Sequence, residues 1–430
     1  MTSSLHYAGI DFGTSNCTAG YLAGNEPLLW PLEDGSTYLS SALYIEKPAV
    51  EDEDAAAPSL AQLLRDQQPV FLGQAAHRQY SQNPLGGVFI RSPKSMLGSR
   101  LTAGQTQIYQ QVCALLLQHI RQQTLGDDLL YAVLGRPIHF QGIDGAKGDD
   151  RAEEILRTAA KAVGFREIQF AYEPVAAAIE YERTLSEEQT VLVVDIGGGT
   201  SDISLIRLGP NRRHMADRTA DLLGHAGRRI GGVDMDIKLA IYGLMPSLGR
   251  GSLALTGRPL PSTLFSDAVN IIDIHAQENF YQANTLSVIE QLIAQAAEPA
   301  IVGRLLSLYQ QHLSYYVVQQ AEHSKIALAN QSNYRVELSR LSANLNVELD
   351  TAQLQQAIYV ELNGIRKLIE GCLQQAAVQP DQIFLTGGAS AAAGIIAVLQ
   401  QVLPTTPIIR GDRFGSVGKG LCSIAAALYR

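Results

Sequence analysis

VLVVDIGGGTSDIS, residues 191–204, is the stretch on which the reading of this chain turns. Its first four residues are apolar, three of them Val, which predicts a strand buried on both faces. The run ends on Asp195, then Gly197, Gly198 and Gly199 precede a second β-favouring run from Asp202 to Leu208. Three glycines let the backbone turn tightly and bare its N–H groups. Such an array can close on phosphate oxygens. Asp195 and Asp202 bring carboxylates to one edge, suited to hydrated Mg²⁺ held partly by phosphate. Thr200 adds a hydroxyl. Alone, the same residues also fit a plain hairpin with a Gly-rich turn.

A second copy favours the phosphate reading. YAGIDFGTSN, residues 7–16, runs from an apolar stretch through Asp11 to Gly13, Thr14, Ser15 and Asn16. Asp195 follows Asp11 by 184 positions, so each half of the chain opens on one such clamp.

The 430 residues are 46% hydrophobic and 17% charged, a globular composition with length for two or three core-forming units. A net charge of −9 with no Lys/Arg run gives no attraction to nucleic acid or anionic membrane. Cys17, Cys113, Cys372 and Cys422 are scattered without CxxC spacing, and the nine His show no metal-ligand spacing. Free thiols in a reducing cytosol are the expectation. MTSSLHYAG lacks the basic and apolar regions of a signal peptide, and no apolar run approaches the ~18–20 residues of a membrane span. A cytoplasmic setting is therefore expected.

Strand and helix patterns alternate through both halves, as in an α/β layer. Residues 7–45 read as a β-meander, and 46–69, acidic and Ala/Pro-rich at KPAVEDEDAAAP, as an exposed surface insertion. VFLG (70–73) reads as a strand, QAAHRQYSQ as a helix, 105–125 as a helix and 129–137 as a buried strand. A helix is predicted over 151–165, a strand over 168–174 and a small-residue helix over 175–183. After the 191–208 hairpin come a Gly turn and helix (227–244), an irregular stretch (246–264) and mostly helix over 285–330. Strands at 335–349, one helix at 351–377, a strand at 382–390 and a final helix complete the pattern. No GxxxxGK[ST] occurs, and the Gly triplet lacks the spacing and following helix of a dinucleotide fingerprint.

IDFGTSN, FLGQAAHRQYSQNP, KSMLG, YEPVAAAIEY, VVDIGGGTSDIS, GGVDMD, AEHSKIALA and LTGG, in that order, resemble the DnaK-type heat-shock chaperone ATPase domain of the actin and sugar-kinase superfamily. The resemblance covers nearly the whole chain. It implies an α/β, actin-like ATPase fold: two lobes of duplicated βββαβαβα-type domains around a nucleotide cleft. Lobe I would span 1–186 with an outer subdomain at about 40–103, and lobe II 187–430 with one at about 232–325. The last helix, 415–430, would pack back on lobe I. The family's linker and peptide-binding domain find no counterpart, and insertions at 46–69 and 246–290 enlarge both lobes.

The resemblance also implies roles. Gly13, Thr14 and Ser15 would cradle the β/γ-phosphates of ATP or ADP, and Gly198, Gly199 and Thr200 would do so from the other lobe. Asp11 and Asp195 would hold Mg²⁺ through water, with Asp202 nearby. Lys94 would meet the γ-phosphate and Glu173 the nucleophile or the metal's waters. Glu322 and Lys325 would reach ribose and adenine, and Gly387-Gly388 the α-phosphate. Pro137 and Arg151 match the family's relay, which reports nucleotide state to the substrate-binding domain. Ala391 and Ala329 stand where the family has an adenine-stacking Arg and a Ser, and Asp412 is the nearest match to its late Asp.

Each residue has a plainer reading. Lys94 alone is a surface lysine, Glu173 a strand-end acid and Asp202 a turn residue. Glu322 and Lys325 alone are an exposed i,i+3 pair worth a few tenths of a kcal/mol. The expected function is a chaperone-related, weakly hydrolysing Mg-ATP switch that engages a protein partner, with neither nucleic acid nor membrane. The alternatives are a small-molecule kinase or a filament-forming actin-like protein on the same fold.

Overall fold

The computed structural model describes residues 5–48, 58–140, 145–213, 218–392, 394–412 and 415–430. The chain opens with the expected meander, β1 (Tyr7–Phe12), β2 (Asn16–Ala23) and β3 (Glu26–Leu29), and β4 (Leu39–Ser40) pairs with the start of β2. An outer unit follows: β5 (Ala42–Glu46), α1 (Leu60–Arg65), β6 (Val70–Leu72), α2 (Gly73–Gln82) and β7 (Gly87–Arg91). Its small sheet has the order β6-β5-β7. A 3₁₀ turn at Pro93–Met96 leads into α3 (Ala103–Gln123), started by a Thr102/Gln105 capping box. Then come β8 (Tyr131–Arg136), α4 (Ala146–Ala162), β9 (Glu167–Tyr172) and α5 (Glu173–Glu182).

The second half repeats the plan. β10 (Gln189–Ile196), β11 (Ser201–Leu208) and β12 (Leu222–Arg228) form its meander. α6 (Gly232–Leu239) continues through a π-helical turn at Ala240–Leu244. The outer part holds α7 (Thr263–Asp267), α8 (Ile274–Phe280), α9 (Ala283–Gln295), α10 (Pro299–Gln310) and α11 (Ser314–Ala327). The hairpin β13 (Asn333–Glu337) and β14 (Asn346–Asp350) precedes α12 (Thr351–Ala357) and α13 (Tyr359–Ala376). β15 (Gln382–Thr386), α14 (Ile395–Val402), β16 (Ile408–Arg410) and α15 (Ser416–Tyr429) follow.

The two main sheets have matching strand orders, β3-β2-β1-β8-β9 and β12-β11-β10-β15-β16. In each, an antiparallel meander joins two strands parallel to its first. This is the duplicated actin-like fold. Strands buried on both faces explain the unbroken apolar runs at 191–194 and 131–134. One core lies in each lobe, and a third fills the space between the sheets. That third core is built from α5 and α15, with Ala176, Ala177 and Leu421 facing Val191, Val193 and Phe384. Gly420 has no room for a side chain because its Cα abuts the Ala176 carbonyl.

Four local readings change. The stretch 46–69 contains α1, set by a Ser59/Gln62 capping box too short to signal periodicity; residues 49–57 lie outside those described. α4 begins at Ala146 rather than 151, because the poor helix formers Gly148 and Asp149 are buried there. Asp149 accepts a hydrogen bond from the Phe140 N–H at 2.7 Å, which fixes that first turn. The single helix at 351–377 is two, broken where Ile358 leaves helical geometry (φ −101°, ψ 14°). β12, α14 and β16 were not foreseen, being short or lacking turn signals.

Candidate functional site

Both Gly-rich turns are true hairpin tips, and they meet. β1 and β2 pair Asp11 with Thr18, and β10 and β11 pair Asp195 with Asp202. The second turn closes through the Gly197 N–H, which donates to Thr200 O at 2.9 Å. α6 is seated on it: Gly232 N–H donates to Gly197 O (3.0 Å) and Val233 N–H to Gly198 O (2.9 Å). The first turn is braced by Ser41, whose N–H donates to Ser15 O (2.9 Å) and whose hydroxyl donates to Gly13 O (2.8 Å). Across the gap, a Cβ placed on Gly198 would overlap Ser15 Oγ. Gly231 packs on the Gly198–Gly199 backbone with similar closeness, so glycine is a steric need at both positions.

The cavity between the tips is lined by Asp11, Gly13, Thr14 and Ser15 from one lobe and Asp195, Gly198 and Thr200 from the other. Glu173, Glu322, Lys325, Gly387 and Gly388 line it as well. Gly387 takes φ +87°, and its Cα lies against the Asp195 carboxylate, where a side chain would collide. Lys94, Gly199 and Asp202 are not part of the lining, but Lys94 pairs with Glu173 and Asp202 accepts from Thr200, both of which are. Buried Lys94, on the 3₁₀ turn, is ion-paired with Glu173. Glu173 is the first residue of α5, where its charge suits the helix N-terminus, and Gly135 of β8 leaves room for its side chain. Asp202 accepts from the Ile138 N–H at 3.1 Å and from the Thr200 hydroxyl, tying the second hairpin to the end of β8.

Four carboxylates therefore gather around one lysine. Burial, then the neighbouring Glu173, pushes the pKa of Asp11 up to about 7 against the pull of Lys94. The same two causes push Asp202 up to about 7. Asp195 rises well above the ordinary range through burial, then Glu173, Asp202 and Asp11. Burial works against the Lys94 charge, but Glu173 and Asp11 outweigh it and raise its pKa. A cluster with this excess of negative charge is suited to a divalent cation. Among the described residues no three His, Cys, Asp or Glu side chains could hold a metal ion directly. Asp11 and Asp195 are the two aspartates of the cluster that line the cavity.

Glu322 and Lys325 do not pair with each other; Lys325 is buried and Glu322 half-buried, so they are not the exposed pair their spacing alone suggests. Glu322 is bonded at 2.8 Å to Arg91 at the end of β7. Burial would raise the Glu322 pKa, but Arg91 and then Lys325 reverse that and lower it. Buried Lys325 is paired with Asp236 of α6 at 2.7 Å and donates to Gly232 O at 2.9 Å. Sequence reasoning passed over Asp236, which lines the cavity, and Arg91, which binds the lining residue Glu322. Asp236 closes the quoted GGVDMD motif, and Arg91 lies three positions before Lys94, so both stood beside recognised signals. Ile326 and Val233 add apolar walls, whereas Ala329 and Ala391 do not line the cavity. Arg151 donates to Ser99 O at 2.6 Å and Gly98 O at 3.3 Å, just past the Lys94 turn.

The sequence model of the family described as Hsp70 protein matches residues 91–244, a stretch holding Arg91, Lys94, Glu173, the second hairpin and Asp236. Chaperone protein DnaK of Endomicrobium trichonymphae is 29% identical over 242 residues, 54% of this chain and 34% of that protein. DnaK of Methanothermobacter thermautotrophicus is 27% identical over 249 residues, 56% of this chain and 37% of its own length. DnaK of Thermoplasma acidophilum is 28% identical over 239 residues. The chain spans about a third of the length of the curated relatives it matches. Among the described residues, no helix is long and apolar enough to cross a membrane.

Proposed function

We propose, for a chain that is a DnaK-type Hsp70 ATPase domain on the actin-like fold, that it binds Mg-ATP between its lobes, hydrolyses it slowly and works as a conformational switch. The supporting observation is the meeting of two glycine hairpins over one cavity ringed by Asp11, Glu173 and Asp195. Each tip would offer backbone N–H groups to the phosphate tail from its own lobe. Bound Mg²⁺ would neutralise the phosphates and meet Asp11 and Asp195 through water. Phosphoryl transfer needs little beyond positioning and charge stabilisation. Lys94, held charged beside Glu173, would supply a cation where negative charge shifts. Thr200 would face the attacking water, and Gly387-Gly388 and Lys325 would seat the rest of the nucleotide.

Loss of the γ-phosphate would remove contacts from both tips at once, which is how hydrolysis would change the lobe angle. The readout would pass through Pro137 and Arg151. Pro137 precedes Ile138, whose N–H holds Asp202, and Arg151 grips the loop after Lys94. The partner read from this is a protein that senses lobe angle. A reducing cytoplasm suits the four cysteines, all buried free thiols.

Calorimetric titration with ATP, ADP and GTP, with and without Mg²⁺, tests the reading. Binding of ATP and ADP that tightens with Mg²⁺ supports it. Absence of binding by all three overturns it.

A further inference from the structure

A second cavity of about 580 Å³ lies between the outer part of lobe I and lobe II. That falls within the ~300–1,000 Å³ of small-molecule sites. Tyr80 and Phe89 of lobe I and Tyr281 and Tyr315 of lobe II line it. Three of these rings clasp across the gap: Tyr80 and Phe89 both meet Tyr315 edge-on, at 5.6 and 4.9 Å between centroids. The Tyr80 hydroxyl also donates to His312 O at 2.5 Å. Among the described lining residues the charges are one-sided, with that of Arg91 already met by Glu322 at 2.8 Å. Lys47 and Arg91 contribute cations, His312 is kept neutral by burial, and no carboxylate is among the described lining residues. An ammonium has three donors, and Lys47 places one of them on Leu85 O at 3.2 Å.

Ser92, a buried residue of the cavity wall, ties this cavity to the first one. It lines the cavity, it is 2% exposed, and its hydroxyl has no hydrogen-bond partner. Ser92 holds a left-handed backbone (φ 57°), which a non-glycine residue adopts only under strain. The strained residue sits between Arg91, bonded to Glu322 of the first cavity, and the turn that carries Lys94 to Glu173. Its N–H donates to Ser41 O at 2.9 Å, and Ser41 in turn braces the Gly13–Ser15 tip. One short segment is thus shared by both cavities.

We propose that this cavity is a binding site for a small aromatic molecule carrying one acidic group, and that its occupancy slows nucleotide release from the adjoining cleft. The aromatic walls would take the ring and Lys47 the acid. A molecule touching both lobes favours the closed clasp through its differential affinity for that state. The second clause rests on the nucleotide reading above; the first does not.

The probe is 8-anilinonaphthalene-1-sulfonate, an aromatic monoanion, titrated by fluorescence into the full chain with and without saturating Mg-ADP. The expected result is one saturable site whose affinity is not lowered by ADP. Ile108→Trp, which fills the cavity from α3, is expected to weaken the probe at least about tenfold while leaving ADP affinity unchanged. Met96→Trp fills the cavity from the 3₁₀ turn and serves if the first variant fails to fold. Displacement of the probe by ADP, or unchanged probe affinity in a folded variant, overturns the site. In the wild type the probe is expected to slow release of a fluorescent ADP about threefold or more. An unchanged release rate overturns the coupling. If no nucleotide binds at all, the nucleotide reading fails, while the probe titration still decides the cavity.

Discussion

Ser15 and Gly198, 183 residues apart in the chain, are in van der Waals contact at the tips of the two hairpins. The contact leaves no room for a β-carbon on one partner. Gly198→Ala is therefore expected to push the tips apart and weaken ADP binding about tenfold or more, at a stability cost of ~1–3 kcal/mol. Gly371→Ala is the control: the space around Gly371 in α13 is open, so a gain of about 0.5–1 kcal/mol is expected with unchanged affinity. Calorimetry and thermal melts on both variants separate the two effects. Unchanged ADP affinity in Gly198→Ala would refute the shared-tip reading.

Lys94→Met keeps the side-chain length but removes the cation among the carboxylates. Turnover is expected to fall about 10²–10³-fold while nucleotide still binds, since the lysine is assigned to shifting charge rather than to affinity. Single-turnover hydrolysis beside a binding titration checks this. Wild-type turnover in the variant would exclude Lys94 from the chemistry.

Acid–base linkage gives a prediction with a definite sign. Asp11 and Asp202, each pushed up to about 7, and Asp195, pushed in the same direction, keep protons in the folded state that the unfolded chain releases above about pH 4. Their contribution thus favours the folded state most below about pH 4 and fades as pH rises to about 7. In metal-free buffer, Asp11→Asn should gain melting temperature relative to wild type as the pH rises through that window. Mg²⁺ should stabilise the wild type more at its top than at its bottom, because only there are the carboxylates ionised. A Mg²⁺ effect independent of pH would count against the cluster as the cation's seat.

The Lys325–Asp236 pair permits a test that needs no nucleotide. Lys325→Met strands the Asp236 carboxyl, which is 1% exposed, and should cost about 3–5 kcal/mol. Adding Asp236→Leu should recover much of that loss, because an apolar pair replaces an unpaired buried charge. Denaturant titration of the three variants measures it. A double variant no more stable than the single one would mean the pair is held by something besides mutual charge.

The sequence disclosed both hairpins because their grammar is local: an apolar run, an aspartate and glycines within a dozen positions. The repeat at residues 11 and 195 then revealed the duplication, and with it the matching sheets. What stayed hidden is non-local. Glu322 meets Arg91 across 231 residues, and Lys325 meets Asp236 on another helix, so spacing on α11 alone suggested an exposed pair. Arg91 carries no signal of its own; only the packing of β7 against α11 gives it a role. α1 escaped because a single capped turn has no period to detect, and the break at Ile358 because both flanks remain helical.

The chain passes between the main sheets twice, from α5 into β10 and from β16 into α15, which returns to pack on β1, β2 and α5. Two tethers side by side make a hinge pin, whereas one would make a swivel. Gly420 nests against Ala176 and locks the two helices together, so rocking of one half against the other about the α5–α15 line would be the motion that keeps them packed. A small turn about that line is magnified with distance from it, so the aromatic clasp at the outer rim would travel farther than the glycine tips near the axle.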